Sequence, residues 1–207
     1  MMKRIFTPTL CLIVQLFLFS SFVLAQATVA PSAPSQAAFD QLVDDYFDFY
    51  FQFHPTAGTQ AGLHQYDGKL EDFSSGGVHA ETAGLTRFQK KFDSIQTAQL
   101  SRESAGDLEV LTSSIQARLL ELQSIQMWRK DPDTYVSDLS YGVFMIMRRN
   151  FAPQSDRLRS VIAREREIPR VLEAARQNIS NPPRVYIEVA LQQMPAEPLR
   201  CTPWADC

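Results

Sequence analysis

SQAAFDQLVDDYFDFYFQFHP, residues 35–55, decides the fold class. Within it Phe39, Leu42, Val43, Tyr46, Phe47 and Tyr50 recur at steps of three and one, which lays a single apolar stripe along a helix. Phe49, Phe51 and Phe53 widen the stripe near its end, so protein is expected to surround that end. Ser35 suits the N-cap. His54-Pro55 stops the helix, because a residue before proline is pushed out of the α region. Asp44, Asp45 and Asp48 fall opposite the stripe and read as a solvated face, not as an acid–base pair.

The same period continues along the chain. Leu85, Phe88, Phe92 and Ile95 mark a second helix, and a third is predicted to start near Ser104, where Ser104-x-x-Asp107 resembles a capping box. The third carries Leu108, Leu111, Ile115, Leu119, Leu122 and Ile125, and should pack antiparallel on the second. Asp131-Pro132-Asp133 opens the next helix, which runs through Val143, Phe144, Met145, Ile146 and Met147 until Pro153 ends it. Leu158, Val161 and Ile162 begin a charged amphipathic helix that Pro169 interrupts or kinks, and Val171, Leu172, Ala175 and Ile179 restore its stripe. Asn181-Pro182-Pro183 precedes a last helical stretch to about Gln193. Residues 55–77 read as a loop rich in glycine and turn formers, long enough that it must pack or function. No alternating strand pattern exceeds a few residues, so the fold is predicted to be all-α, an antiparallel bundle of about six helices.

Outside the bundle, Lys3 and Arg4, the apolar run Leu10 to Leu24 and the small residues of Val23-Leu24-Ala25 read as a signal peptide over 1–25, cut after Ala25. Gln15, Ser20 and Ser21 interrupt the run, which falls short of the roughly 20 apolar residues a span needs, so no stable membrane anchor is expected after cleavage. Leu10 before Cys11 is not the small residue of a lipoprotein signal. The expected location is therefore exported, periplasmic or secreted. Residues 26–35, QATVAPSAPS, read as a flexible linker, 36–194 as the helical domain and 195–207 as an irregular tail. Cys201 and Cys207 lie in that tail; an oxidising compartment permits their disulfide, though so short a loop constrains little. Removing Lys3 and Arg4 from the 20 basic residues leaves 18 against 23 acidic ones, a formal charge near −5. That sign argues against a nucleic-acid partner.

The three histidines, His54, His64 and His79, never stand three or four residues apart, and no His-Glu-x-x-His occurs. No catalytic residue, metal ligand or cofactor is assigned to this chain. His54 is expected to cap or abut a helix end and His79 to lie on an exposed helix start. Gly62-Leu63-His64-Gln65-Tyr66-Asp67-Gly68 gathers imidazole, phenol and carboxylate on a glycine-flanked loop. His64, Tyr66 and Asp67 could line a substrate cleft; alternatively His64 and Asp67 satisfy loop backbone while Tyr66 packs on the bundle. Arg157, Arg159, Arg164, Arg166, Arg170 and Arg176 alternate with Glu165, Glu167 and Glu173 and read as surface ion pairs.

One ordered set of segments carries a resemblance. His54-Pro55-Thr56-Ala57-Gly58, then Gly62 to Asp67, Leu70-Glu71-Asp72-Phe73-Ser74, Asp131-Pro132-Asp133-Thr134-Tyr135, Phe151-Ala152-Pro153, Ile168-Pro169 and Asn181-Pro182-Pro183 with Glu188 resemble the start of the bacterial domain-of-unknown-function 885 family. The resemblance runs from about residue 38 to 194. It implies an exported, mostly helical and longer protein, similar to zinc peptidases with His-Glu-x-x-His in the carboxy-terminal half. Zinc is then expected only in full-length relatives, where it would activate a bound water. On this reading the chain is an amino-terminal portion, an incomplete part of a larger helical domain. It is truncated before the catalytic motif and inactive alone, with a carboxy-terminal half that would pack on it and a peptide as its ligand. The alternative is a self-sufficient helical binding or scaffolding module of the cell envelope.

Overall fold

The stripe over 39–50 forms one long helix, α1 (Gln36–Phe53), with Phe39 and Tyr46 buried along it. The structure, a computed structural model, describes residues 36–193. The signal segment with its cut after Ala25, the linker with Ser35, and the tail with Cys201 and Cys207 lie outside the described residues. The described residues form seven α-helices and no strand: α1, α2 (Pro55–Gln60), α3 (Ser75–Asp93), α4 (Arg102–Leu120), α5 (Pro132–Arg148), α6 (Gln154–Asn178) and α7 (Arg184–Gln193). The all-α class holds.

The seventh helix comes from the segment read as a loop. Pro55 occupies the first turn of α2, where its missing N–H costs no helical hydrogen bond. Gly62, at φ +88, then lets the chain leave α2 and enter a 3₁₀ turn over His64–Tyr66. Two other boundaries also moved. Ser101, not Ser104, caps α4, its hydroxyl accepting from the Ser104 amide at 3.1 Å, while the Ser104 hydroxyl accepts from Gln36 Nε2 at 2.7 Å. α5 stops at Arg148, and Pro153 instead leads into α6 at φ −52. α6 runs on through Pro169, because burial of Val161 and Val171 on either side keeps both halves docked.

Two apolar cores result. The first joins α1, α3 and α4 through Phe39, Tyr46, Leu85, Phe88, Phe92, Leu111, Ile115 and Leu119. Tyr46 meets Phe88 and Phe92 edge-on, with ring centroids 5.5 and 5.9 Å away. α3 and α4 are antiparallel, as expected: Glu81 near the start of α3 reaches Arg118 near the end of α4. The second core joins Leu70 to Tyr135 and Leu139 of α5 and Val171 and Ala175 of α6. This pair is antiparallel too, since Asn178 bonds the Tyr135 hydroxyl at one end while Arg157 donates to the Met147 carbonyl at the other. α2 touches both α1 and α5, and Leu70 and Phe73 of the following segment enter the second core.

Candidate functional site

Ionisable residues occupy stripe positions in both cores. Glu81 lies between Val78 and Leu85 on the buried face of α3 and is 5% exposed. A lone carboxylate there would be unfavourable, and three donors meet it. Arg118 grips it with two nitrogens, Nε to Oε1 at 2.8 Å and Nη2 to Oε2 at 3.0 Å, and His54 Nε2 lies 2.9 Å from Oε1. His54 stands where α1 ends and α2 begins, its ring against Tyr50 with centroids 4.4 Å apart. This agrees with its reading as a helix-end residue. Beyond Leu120 the chain widens into a π turn, Glu121–Ile125, which presents Glu121 Oε2 to Arg118 Nη1 at 2.7 Å. Burial by itself would raise the Glu81 carboxyl, but the hydrogen bonds from His54 and Arg118 outweigh it and bring it down to about 2.

These groups border a cavity of about 150 Å³. From the loop, Glu71 enters it, 8% exposed, its Oε1 accepting from the Thr56 amide at 3.1 Å and from the Thr56 hydroxyl. From α5 comes Asp138, pushed up to about 6 by burial first and by the Glu71 charge second, against the pull of Arg118 and His54. Phe53, Phe73, Leu122 and Trp128 supply apolar wall. The cavity thus combines fixed charge with apolar surface, as ligand sites do, but at the size of one side chain.

The residues singled out in the loop gather elsewhere. His64 Nδ1 lies 3.0 Å from Asp67 Oδ2, and the His64 ring stacks on Phe151 with centroids 4.2 Å apart. Tyr66 packs over Gly58, where an added Cβ would come within 2.7 Å of its ring. Asp67 is buried, and none of the three lines the charged cavity. Next to them stands the largest departure from expectation. Arg164, read as part of a solvated ion-pair face, is 0% exposed. It sits on the α6 stripe between Val161 and Ile168, and donates to the Gly142 carbonyl, the Thr59 hydroxyl at 2.7 Å and the Tyr66 carbonyl at 3.4 Å. Glu167–Arg170 and Glu173–Arg176 do form the surface pairs expected, at 2.8 and 3.6 Å. Asp44, Asp45, Asp48 and His79 are exposed, as read.

Comparison with known proteins places the molecule. A family model described as bacterial protein of unknown function (DUF885) matches residues 55–197. The chain belongs to the DUF885 family. A solved structure from Shewanella oneidensis, described as a lipoprotein of unknown function, is 31% identical with a TM-score of 0.68. The alignment covers 78% of this chain and 29% of that one, so the DUF885 chain described here spans under a third of that relative's length. No curated protein matches it. No described helix is long and apolar enough to cross a membrane. Zinc finds no fit among the described residues of this DUF885 chain. His54 is engaged with Glu81 and His64 with Asp67, and no three His, Cys, Asp or Glu side chains are placed to hold a metal ion.

Proposed function

We propose that this chain is an exported helical protein whose domain forms one wall of a peptide-binding cleft in a larger, zinc-peptidase-like fold, and that it does not hydrolyse peptides by itself. The observation that carries the reading is the charged cavity: Glu71, Glu81, Arg118 and Asp138 are withdrawn into one polar recess with apolar walls. Such a recess is costly to maintain unless it receives something. Two further features support the larger fold. The solved relative is much longer than the matched region. α5 has two apolar faces: Tyr135, Leu139 and Ile146 are buried, while Val136, Tyr141, Phe144 and Met147 are each at least 41% exposed. Of His64, Tyr66 and Asp67, His64, with its side chain 48% exposed, is the outer wall residue on this reading, with Tyr66 half-buried and Asp67 buried behind it.

The test is to titrate the purified chain with a mixed peptide library, with and without added zinc. Saturable peptide binding without hydrolysis is the expected result. Zinc-dependent cleavage by this chain alone would sink the reading. A cooperative monomeric melt with no peptide bound would favour the envelope scaffold instead.

A further inference from the structure

The charges around the cavity do not balance locally. Arg118 is committed to Glu81 and Glu121, His54 to Glu81, and Arg170 to Asp72 at 3.2 Å. Arg164 feels the Glu71 charge but, among the described residues, bonds only Gly142, Thr59 and Tyr66. Among the described residues two carboxylates of the cavity, Glu71 and Asp138, therefore have no cation bonded to them. Glu71 uses Oε1 for Thr56, and its Oε2 has no hydrogen-bond partner among the described residues; the residue is 8% exposed and borders the cavity. Asp138 accepts no hydrogen bond among the described residues, and the Glu71 charge raises the cost of charge on it. Water could satisfy their lone pairs but would leave two negative charges on one cavity. A metal ion would need a third ligand that the described residues do not place there.

We propose that the cavity binds an organic cation, the ammonium or guanidinium end of a basic side chain, between Glu71 Oε2 and the Asp138 carboxylate. The methylene stem of such a side chain would lie along Phe53, Phe73 and Trp128, which face the same space. A volume of about 150 Å³ suits one side chain and not a whole peptide. Asp138 also borders an open groove with Val136, Tyr141 and Phe144, so the rest of a ligand has an apolar path out along α5. This deepens the cleft-wall reading and rests on it only for the peptide as bearer of the cation; the cation site itself is tested without a peptide.

The experiment is a calorimetric titration of the full chain with Nα-acetyl-lysine amide, Nα-acetyl-arginine amide and the uncharged norleucine counterpart. Saturable binding of at least one basic compound, about tenfold or more tighter than norleucine, is expected. Asp138→Asn and Glu71→Gln should each weaken that binding about tenfold, while Asp44→Asn on the exposed face of α1 leaves it within about twofold. Asp138→Asn removes a repulsion, so it should fold at least as well as the parent, and a melt run beside the titration checks this. Binding should also weaken as the pH falls through about 6, where Asp138 gains its proton beside Glu71, Arg118 and His54. Equal response to norleucine, no saturable binding of either basic compound, or indifference of a well-folded Asp138→Asn overturns the proposal. Basic compounds bound while library peptides are not would remove the cleft and keep the cation site; peptides bound without regard to basic residues would do the reverse.

Discussion

Arg118 and Arg164 are both drawn in from solvent, and they are held in opposite ways. Around Arg118 the partners are charges: Glu81 takes two of its nitrogens and Glu121 a third. Burial works against its charge, yet the carboxylates outweigh burial and hold it above its ordinary range. Around Arg164 the partners are dipoles, the carbonyls of Gly142 and Tyr66 and the hydroxyl of Thr59. There burial prevails and draws the guanidinium below its ordinary range, although the Glu71 and Asp67 charges favour it. Its Nε and Asp67 Oδ1 are buried without partners among the described residues. One arginine belongs to an ionic shell that still opens on a cavity, whereas the other is a closed staple joining α2, α5 and α6. A charge kept beside a recess can answer to a ligand; a charge sealed among carbonyls answers only to folding.

Four substitutions sharpen that contrast, beginning with the one of greatest effect. Arg164→Ala should cost roughly 3–5 kcal/mol in urea unfolding, since it leaves a cavity and strands buried acceptors together. A loss under about 1 kcal/mol would show that the staple is dispensable. Glu81→Gln should cost about 2–3 kcal/mol near neutral pH, because the native carboxyl sits at about 2 and the unfolded one near 4.5. The unfolded chain binds the extra proton between those values, so the Glu81 contribution is full above about 4.5 and is lost as the pH drops toward 2. The variant should lack this loss in pH-dependent melts compared beside the parent. Asp138→Asn has the opposite sign. Its carboxyl is raised to about 6 from 3.8, so the folded parent takes up the proton first and loses stability as the pH rises between those values. The variant should gain about 1 kcal/mol at pH 7, after allowance for partial exposure, and nothing below pH 3.8. Arg170→Ala should move the melt least, by under about 1 kcal/mol, because Arg170, Asp72 and Glu167 are each at least 42% exposed at the side chain.

Much of the fold was legible in the sequence because helices declare themselves by period. The α1 stripe and the Asp131-Pro132 start of α5 stand where the residues placed them, with Asp131 Oδ1 accepting the Asp133 amide at 3.0 Å. The loop 55–77 was misread because Pro55 looked like a stop, whereas a proline that ends one helix can begin the next. The charged cavity and the Arg164 staple went unseen for a different reason. Glu81, Arg118, Asp138 and Arg164 each occupy a position where the helical period calls for an apolar residue. Glu81 falls between Val78 and Leu85, Arg118 between Ile115 and Leu122, and Asp138 between Tyr135 and Gly142. That signal was present, but a charged residue inside a stripe passes for noise until tertiary structure supplies its partner. Arg164 was further hidden by the exposed arginines around it.

The bonds of the two arginine regions close loops of very different size. Thr56–Glu71, His54–Glu81 and Glu81–Arg118 span 15, 27 and 37 residues, whereas Arg164–Thr59 spans 105. Closing a longer loop surrenders more chain entropy, by about 0.6 kcal/mol per doubling. The ionic shell can therefore assemble within the first four helices, before the staple fastens α6 to α2. Native-state hydrogen exchange should find α5 and α6 opening while the α3–α4 amides stay protected. In that partly open form Glu81 and Arg118 remain paired, but Asp138 has departed with α5, so a cation seated against it would act as a latch on the second half of the molecule.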